Sequence, residues 1–171
     1  MTDFTWKAVP LLSTSRLLLR PLVRSDTSDL FTIYGNKEVM AFASDPPFSD
    51  EAALGIMFDH MEQLFAAHSA LQWGIVLWAS GQIIGTCEIH SISEDGTEAE
   101  LGCLLARAYW GQGIMSEALR ELITYAFEDL GIRTLLADID LPNTRSRTLF
   151  NRLGFLPVPN TTTYMALARP E

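Results

Sequence analysis

Two rhythms of apolar and polar positions run along this chain. Between 71 and 105 the period is two, as in strands. Residues 71–79, 83–92 and 98–105 read as a three-strand meander, joined by Ser80-Gly81-Gln82 and by a hairpin turn over 93–97 with Asp95-Gly96 inside it. Elsewhere the period is that of a helix. Residues 25–34 place Leu30, Ile33 and Tyr34 on one face, and Gly35 stops them. After a Pro46-Pro47 loop over 38–48, Ser49 or Asp50 caps a second helix whose apolar face is Ala53, Met57, His60, Met61, Leu64 and Phe65. Ala118, Leu119, Leu122, Ile123, Ala126, Phe127 and Leu130 form a third stripe, ended by Gly131. A strand over 16–22, stopped by Pro21, opens the pattern. A strand over 134–141, a helix carrying Leu149, Phe150 and Leu153, and an antiparallel pair over 155–158 and 163–168 close it. The order βααβββαβαββ predicts an α+β fold with a mixed sheet.

The junction between the meander and the third stripe carries the first chemical signal. Trp110-Gly111-Gln112-Gly113-Ile114-Met115-Ser116 joins an apolar strand to a helix. Glycines there let bare N–H groups approach an anion, and the helix dipole favours negative charge at that end. The turn therefore reads as a phosphate cradle, against the plainer reading of a tight turn that binds nothing. A P-loop needs Lys followed by Ser or Thr after the second Gly, where this chain has Ile114 and Met115. A dinucleotide fingerprint needs a third Gly at 116, which is Ser, and belongs to the first βα unit of its domain.

A second unit follows: the strand over 134–141, Asn143-Thr144-Arg145-Ser146, a helix, then Gly154-Phe155. Together the two units resemble the acetyl-CoA-binding half of the GCN5-related N-acetyltransferases (GNAT). The phrase Leu11-Leu12-Ser13-Thr14-Ser15-Arg16-Leu17-Leu18-Leu19-Arg20-Pro21-Leu22 resembles the opening strand of the RimJ/RimL-like branch, which acetylates ribosomal-protein N-termini. The resemblance spans about 11–168, so residues 1–171 are expected to form a single acyltransferase domain with the GNAT fold, its sheet flanked by helices. It implies acetyl-CoA as cosubstrate and an amine as acceptor, joined by direct attack on the thioester. Pantetheine would pair with the main chain at Leu104 and Leu105, with a bulge near Gly102-Cys103. The diphosphate would sit on amides of Gly111, Gln112, Gly113, Ile114, Met115 and Ser116, in a cofactor loop that Trp110 opens. Trp110 and Met115 depart from the family pattern, which has Gln or Arg and then Gly or Ala at those places. Asn143 has two readings, a helix N-cap or a partner of the pantetheine arm. Phe150 stands where many members carry a Tyr that protonates the thiolate. Ser146 becomes the candidate for that role, against a Ser bonded to local backbone.

The general base is sought among strand carboxylates. Glu100 is the first choice and Glu88 the second; Glu98, Asp138 and Asp140 are further candidates, and His90 qualifies by its ordinary pKa. Arg145, Arg147 and Arg152 could meet cofactor phosphates. Trp73 and Trp78 either line an acceptor slot or fill the sheet core. Cys87 and Cys103 are expected as buried thiols, and no His, Cys or carboxylate spacing suggests a metal.

With 171 residues and a net charge of −9, the chain lacks the basic stripe of a nucleic-acid binder, while its acidity suits a cationic amine. No apolar run reaches membrane-spanning length, and the N-terminus lacks a signal pattern, so a cytoplasmic protein is expected, with a homodimer as the family's common state. The resemblance of the opening phrase implies a protein or peptide N-terminal amine as acceptor. Alternatives are a small amine (polyamine, aminoglycoside or amino acid), or a sensor that binds acyl-CoA without turnover.

Overall fold

The protein is described from a computed structural model covering residues 6–170. Its strands are β1 (Leu12–Ser13), β2 (Leu17–Arg20), β3 (Leu71–Leu77), β4 (Ile83–His90), β5 (Glu98–Leu105), β6 (Thr134–Asp138), β7 (Leu156–Pro157) and β8 (Tyr164–Ala168). The helices are α1 (Thr27–Tyr34), α2 (Ala52–Ala66), α3 (Ile114–Glu128) and α4 (Thr144–Arg152). All eight strands form one sheet in the order β1-β2-β3-β4-β5-β6-β8-β7. Every neighbouring pair is antiparallel except β5–β6, which is parallel. The mixed sheet is thus what the patterning predicted, and its flanking helices are what the resemblance implied.

Each face of the sheet carries its own apolar cluster, because alternate residues of a strand point to opposite sides. On one face Trp73, Ile89, Leu101 and Leu135 pack against Leu119, Leu122 and Ala126 of α3, and against Phe155. Leu119 and Leu122 are fully buried, so the third stripe does the work its period suggested. On the other face Leu30 and Ile33 of α1 and Leu54 and Phe58 of α2 cover Val76 and Ile83.

Several expectations are corrected. The strand over 16–22 ends at Arg20, whose guanidinium forks onto Asp26 with two contacts of 2.8 Å. A short β1 pairs with it, which a two-residue strand is too brief to announce by period. The strand over 134–141 stops at Asp138. Asp50 caps α2 by accepting from the N–H groups of Ala52 (2.9 Å) and Ala53 (3.3 Å). The buried side of that helix is Leu54 and Phe58, one residue round from the expected stripe. Of that stripe, Met57, His60, Met61 and Leu64 face a cavity instead. A face turned to a binding cavity is apolar for the ligand, and period alone cannot tell it from a core face. Trp73 is fully buried against α3 and Trp78 is 54% exposed, so neither lines that cavity.

Candidate active site

The one parallel pairing creates the site. β5 and β6 pair only over Glu98–Glu100 and Thr134–Leu136. Beyond that point β5 runs on to Leu105 held by β4 alone, and the two strands part. Main-chain direction in the gap follows from the ladder. The N–H of Ala106 donates to Ile84 O at 2.8 Å, so the even-numbered residues of β5 bond to β4. The odd ones, Leu101, Cys103 and Leu105, turn their N–H and C=O groups toward the gap. Of the two residues expected to meet pantetheine, Leu105 has that orientation; the main chain of Leu104 is engaged opposite Thr86. The bulge expected near Gly102-Cys103 is absent, for the β4–β5 register is unbroken; a register shift lies at Ile75/Val76 in β3.

A cavity of about 1230 Å³ opens at this gap. The turn before α3 forms one wall. Gly111 (φ 75°) and Gly113 (φ 74°) are left-handed, a conformation strained for any residue with a Cβ. A Cβ on Gly111 would meet only open space, so what requires glycine there is backbone conformation rather than crowding. Gly113 caps α3, leaving the N–H groups of Ile114, Met115 and Ser116 as unpaired helix-start donors at the cavity. Met115 buries its side chain in the core, so its Cβ does not obstruct this wall. Gln112 does not line the cavity; its side chain donates to Ala108 O at 3.0 Å.

Trp110 replaces a polar head with an indole that recruits cations. The guanidinium of Arg145 lies 3.2 Å from the ring centroid and that of Arg107 4.6 Å. Its Nε1–H donates to Leu105 O at 2.7 Å, one of the gap-facing carbonyls. Arg107 also pairs with Glu38 at 3.0 Å. Arg145 and Arg152 line the cavity, but Arg147 donates to Ile139 O (3.0 Å) and Thr163 O (3.4 Å), fastening the end of β6.

The opposite wall is the start of α4. Asn143 Oδ1 accepts from Ser146 N–H at 3.3 Å, which is the N-cap reading. Both residues also line the cavity. Phe150 is buried edge-on against Phe155, with no hydroxyl to offer.

The floor is polar. Gln72, Thr86, Glu88 and His90 occupy alternate positions of β3 and β4, and Glu100 stands opposite His90 on β5. Tyr34 of α1 joins them, its hydroxyl 3.2 Å from Thr86 Oγ1 and accepting from Gln72 Nε2 at 3.3 Å. Burial pushes the Tyr34 pKa up to about 12, which keeps this hydroxyl neutral. The Glu88 carboxylate lies across Gly102, where a Cβ would stand 2.6 Å from its Oε1; glycine makes the notch that admits it. Burial holds the Glu88 carboxyl above the ordinary glutamate value, with His90 and His60 pulling weakly the other way. Glu100, Asp138 and Asp140 also reach the cavity, whereas Glu98 does not. Burial raises both thiols, Cys87 well above its usual range and Cys103 to about 12, which leaves neither a thiolate nucleophile.

Tyr34, Gln72 and Thr86 were missed as site residues. The available signal was a run of polar residues at period two, Thr86-x-Glu88-x-His90, on a strand whose other positions are apolar. Among the described residues no group of three or more His, Cys, Asp or Glu side chains is placed to hold a metal, and no helix is long and apolar enough to cross a membrane.

A parting of β5 and β6, a glycine turn with free amides and an adjacent polar floor together suit a thioester carried on a long anionic arm. The model of the acetyltransferase (GNAT) domain matches residues 16–156. The chain belongs to the GNAT family of acetyltransferases. It is 32% identical over 144 residues to p20, an uncharacterised N-acetyltransferase of Bacillus licheniformis, covering 84% of this chain and 81% of that one. Its fold matches Mycobacterium smegmatis RimJ in complex with CoA-disulfide (TM-score 0.79, 16% identity, 94% of this chain and 88% of that one). It equally matches spermidine N-acetyltransferase from Vibrio cholerae in complex with CoA and spermine (TM-score 0.79, 17% identity, 91% and 96%). GNAT enzymes use acetyl-CoA, and this chain is an acetyl-CoA-dependent N-acetyltransferase.

Proposed function

We propose that this GNAT enzyme acetylates the N-terminal amine of a protein or peptide, and that Glu88 is its general base. Acetyl-CoA supplies the acyl group as a thioester. Its arm would lie in the β5–β6 gap against the main chain of Cys103 and Leu105, with the diphosphate on the amides of Gly113 to Ser116. The acceptor amine approaches from the floor. It must lose a proton to attack, and Glu88 is the carboxylate best placed to take it. From β4 the side chain crosses Gly102, bringing the carboxylate within about one strand spacing, roughly 5 Å, of the gap. Its raised pKa moves it toward the operating range of a base. Glu100, the first choice from sequence, stands opposite His90, two residues before the notch at Gly102, and raises the Tyr164 pKa together with Asp138. The amine nitrogen bonds to the carbonyl carbon, the C–S bond breaks, Ser146 at the start of α4 donates a hydrogen bond to the departing thiolate, and the proton given up by the nitrogen ends on that sulfur.

The position of Glu88 inside the gap-side cavity carries this reading. The RimJ/RimL-like opening strand supports a peptide acceptor. The four carboxylates Glu88, Glu100, Asp138 and Asp140 favour a second reading, a polyamine acceptor. Thiol release from acetyl-CoA across a panel of Ala-, Ser- and Met-starting peptides and spermidine decides between them. Release with peptides, and none with spermidine, is expected; release with spermidine alone would replace the first reading by the second.

A further inference from the structure

We propose that Arg16 is a positioning residue for the turn that receives the diphosphate of acyl-CoA, an inference that rests on the reading of that turn given above. Arg16 lies in sequence far from the turn, just ahead of β2, yet its Nη1 donates to Gln112 O at 3.1 Å. A peptide unit is planar and trans, so the C=O of Gln112 and the N–H of Gly113 point in opposite directions. Holding that carbonyl from behind therefore aims the Gly113 N–H at the other side. The cavity lies on that other side, because Gly113, Ile114 and Ser116 line it whereas Arg16, Gln112 and Glu117 do not.

The second contact concerns charge. Glu117 sits in the first turn of α3, where a carboxylate suits the helix but opposes an anion bound at the same terminus. Arg16 takes this charge up. Its Nε meets Glu117 Oε2 at 2.6 Å and its N–H meets Oε1 at 3.1 Å. Thr14 Oγ1 and Ser15 Oγ also donate to Oε1. The carboxylate is thus occupied behind the turn, and the amides in front keep their attraction for phosphate.

The brace is itself fixed. Arg16 O accepts from Trp78 N–H at 2.9 Å, tying its backbone to the sheet. Thr14 and Leu17 exchange two hydrogen bonds (Thr14 N–H to Leu17 O, 2.9 Å; Leu17 N–H to Thr14 Oγ1, 3.0 Å), which closes the turn that carries it. One side chain so joins the β1–β2 turn at the sheet's edge to the anion-binding end of α3.

The test compares CoA with pantetheine, which lacks the diphosphate, by calorimetric titration carried to millimolar pantetheine. Arg16→Ala is expected to weaken CoA about tenfold, the scale of a charge-assisted contact, and to leave pantetheine unchanged. Arg16→Lys keeps the charge but not the fork, and should fall between; it also serves if the alanine variant does not fold. Equal weakening of both ligands would mean general damage and overturn the proposal, as would no weakening at all. If the unaltered protein binds CoA no better than pantetheine, the turn is not a diphosphate site, and that reading falls together with the role of Arg16.

Discussion

On the α3 side of the sheet, Trp73, Leu101 and Leu135 meet Leu119 and Leu122 in a continuous buried apolar layer. On the α1–α2 side, the alternate positions of the same strands hold Gln72, Thr86, Glu88 and Glu100 beside an open cavity. β3, β4 and β5 serve both sides at once, since a strand side chain has only two directions. The contrast teaches where this enzyme keeps its stability and where it gives some up. Burying a carboxylate such as Glu88 opposes folding, and the apolar layer behind the same strands offsets that cost.

Two substitutions would break the contrast from either side. Leu119→Ala removes a fully buried side chain of α3 and should lower unfolding stability by about 2–5 kcal/mol in urea denaturation, while the folded fraction binds CoA as before. A loss of CoA affinity in the folded fraction would show that the two faces are not separable. Glu88→Gln should do the reverse. Turnover should fall about a hundredfold, as for loss of a general base, without loss of stability. Its pH dependence has a fixed sign. The folded carboxyl has a raised pKa, so the neutral form is favoured in the folded state. The stabilising contribution is complete below the unfolded value, near 4.3, and disappears as pH rises through the folded value. Glu88→Gln removes this slope, so its stability relative to the parent should climb over that window and then level off. Turnover of the parent should rise across the same titration, and the variant should lack that limb. A variant that tracks the parent in both would take Glu88 out of the site.

How much of this was legible in the sequence divides along the same line. The α3 stripe was readable because Ala118, Leu119, Leu122 and Ala126 repeat at helical period and all are buried. Glycines at 111 and 113 were readable because left-handed backbone restricts the residue choice. The cavity side was not. Met57, His60 and Met61 have the spacing of a core face and line the cavity instead. Tyr34 looked like one more helix-face residue; its hydroxyl bonds across 52 positions to Thr86. The Arg16–Glu117 contact joins residues 101 apart, and no local pattern encodes such a pairing. Leu104 and Leu105 differ in role only through the ladder phase of β5, which pairing sets and side-chain type does not.

Gly102→Ala sharpens the comparison without altering a charge. The added methyl would stand 2.6 Å from Glu88 Oε1 and 2.9 Å from its Cγ, so the whole Glu88 side chain must turn away. The carboxylate should swing aside and the fold should survive, with a thermal midpoint close to the parent's. Turnover should drop about tenfold through misplacement of the base. An unchanged rate, measured by thiol release, would mean that the position of Glu88 over β5 is unimportant.

The smallest effect concerns the main chain at the gap. Trp110 Nε1–H occupies Leu105 O at 2.7 Å, an acceptor that an incoming pantetheine amide would otherwise use. Trp110→Phe removes that donor but keeps an aromatic face for Arg145 and Arg107. The freed carbonyl lies in a water-accessible cleft, so hydration replaces the lost hydrogen bond and stability should scarcely change. Pantetheine, titrated in place of CoA, isolates the arm from the diphosphate. Its binding should tighten about threefold, the modest worth of one acceptor no longer contested. Weaker binding would mean that the indole N–H holds the ring in the place the ligand needs. The gap would then rely on a side chain, the Trp110 indole, for its shape.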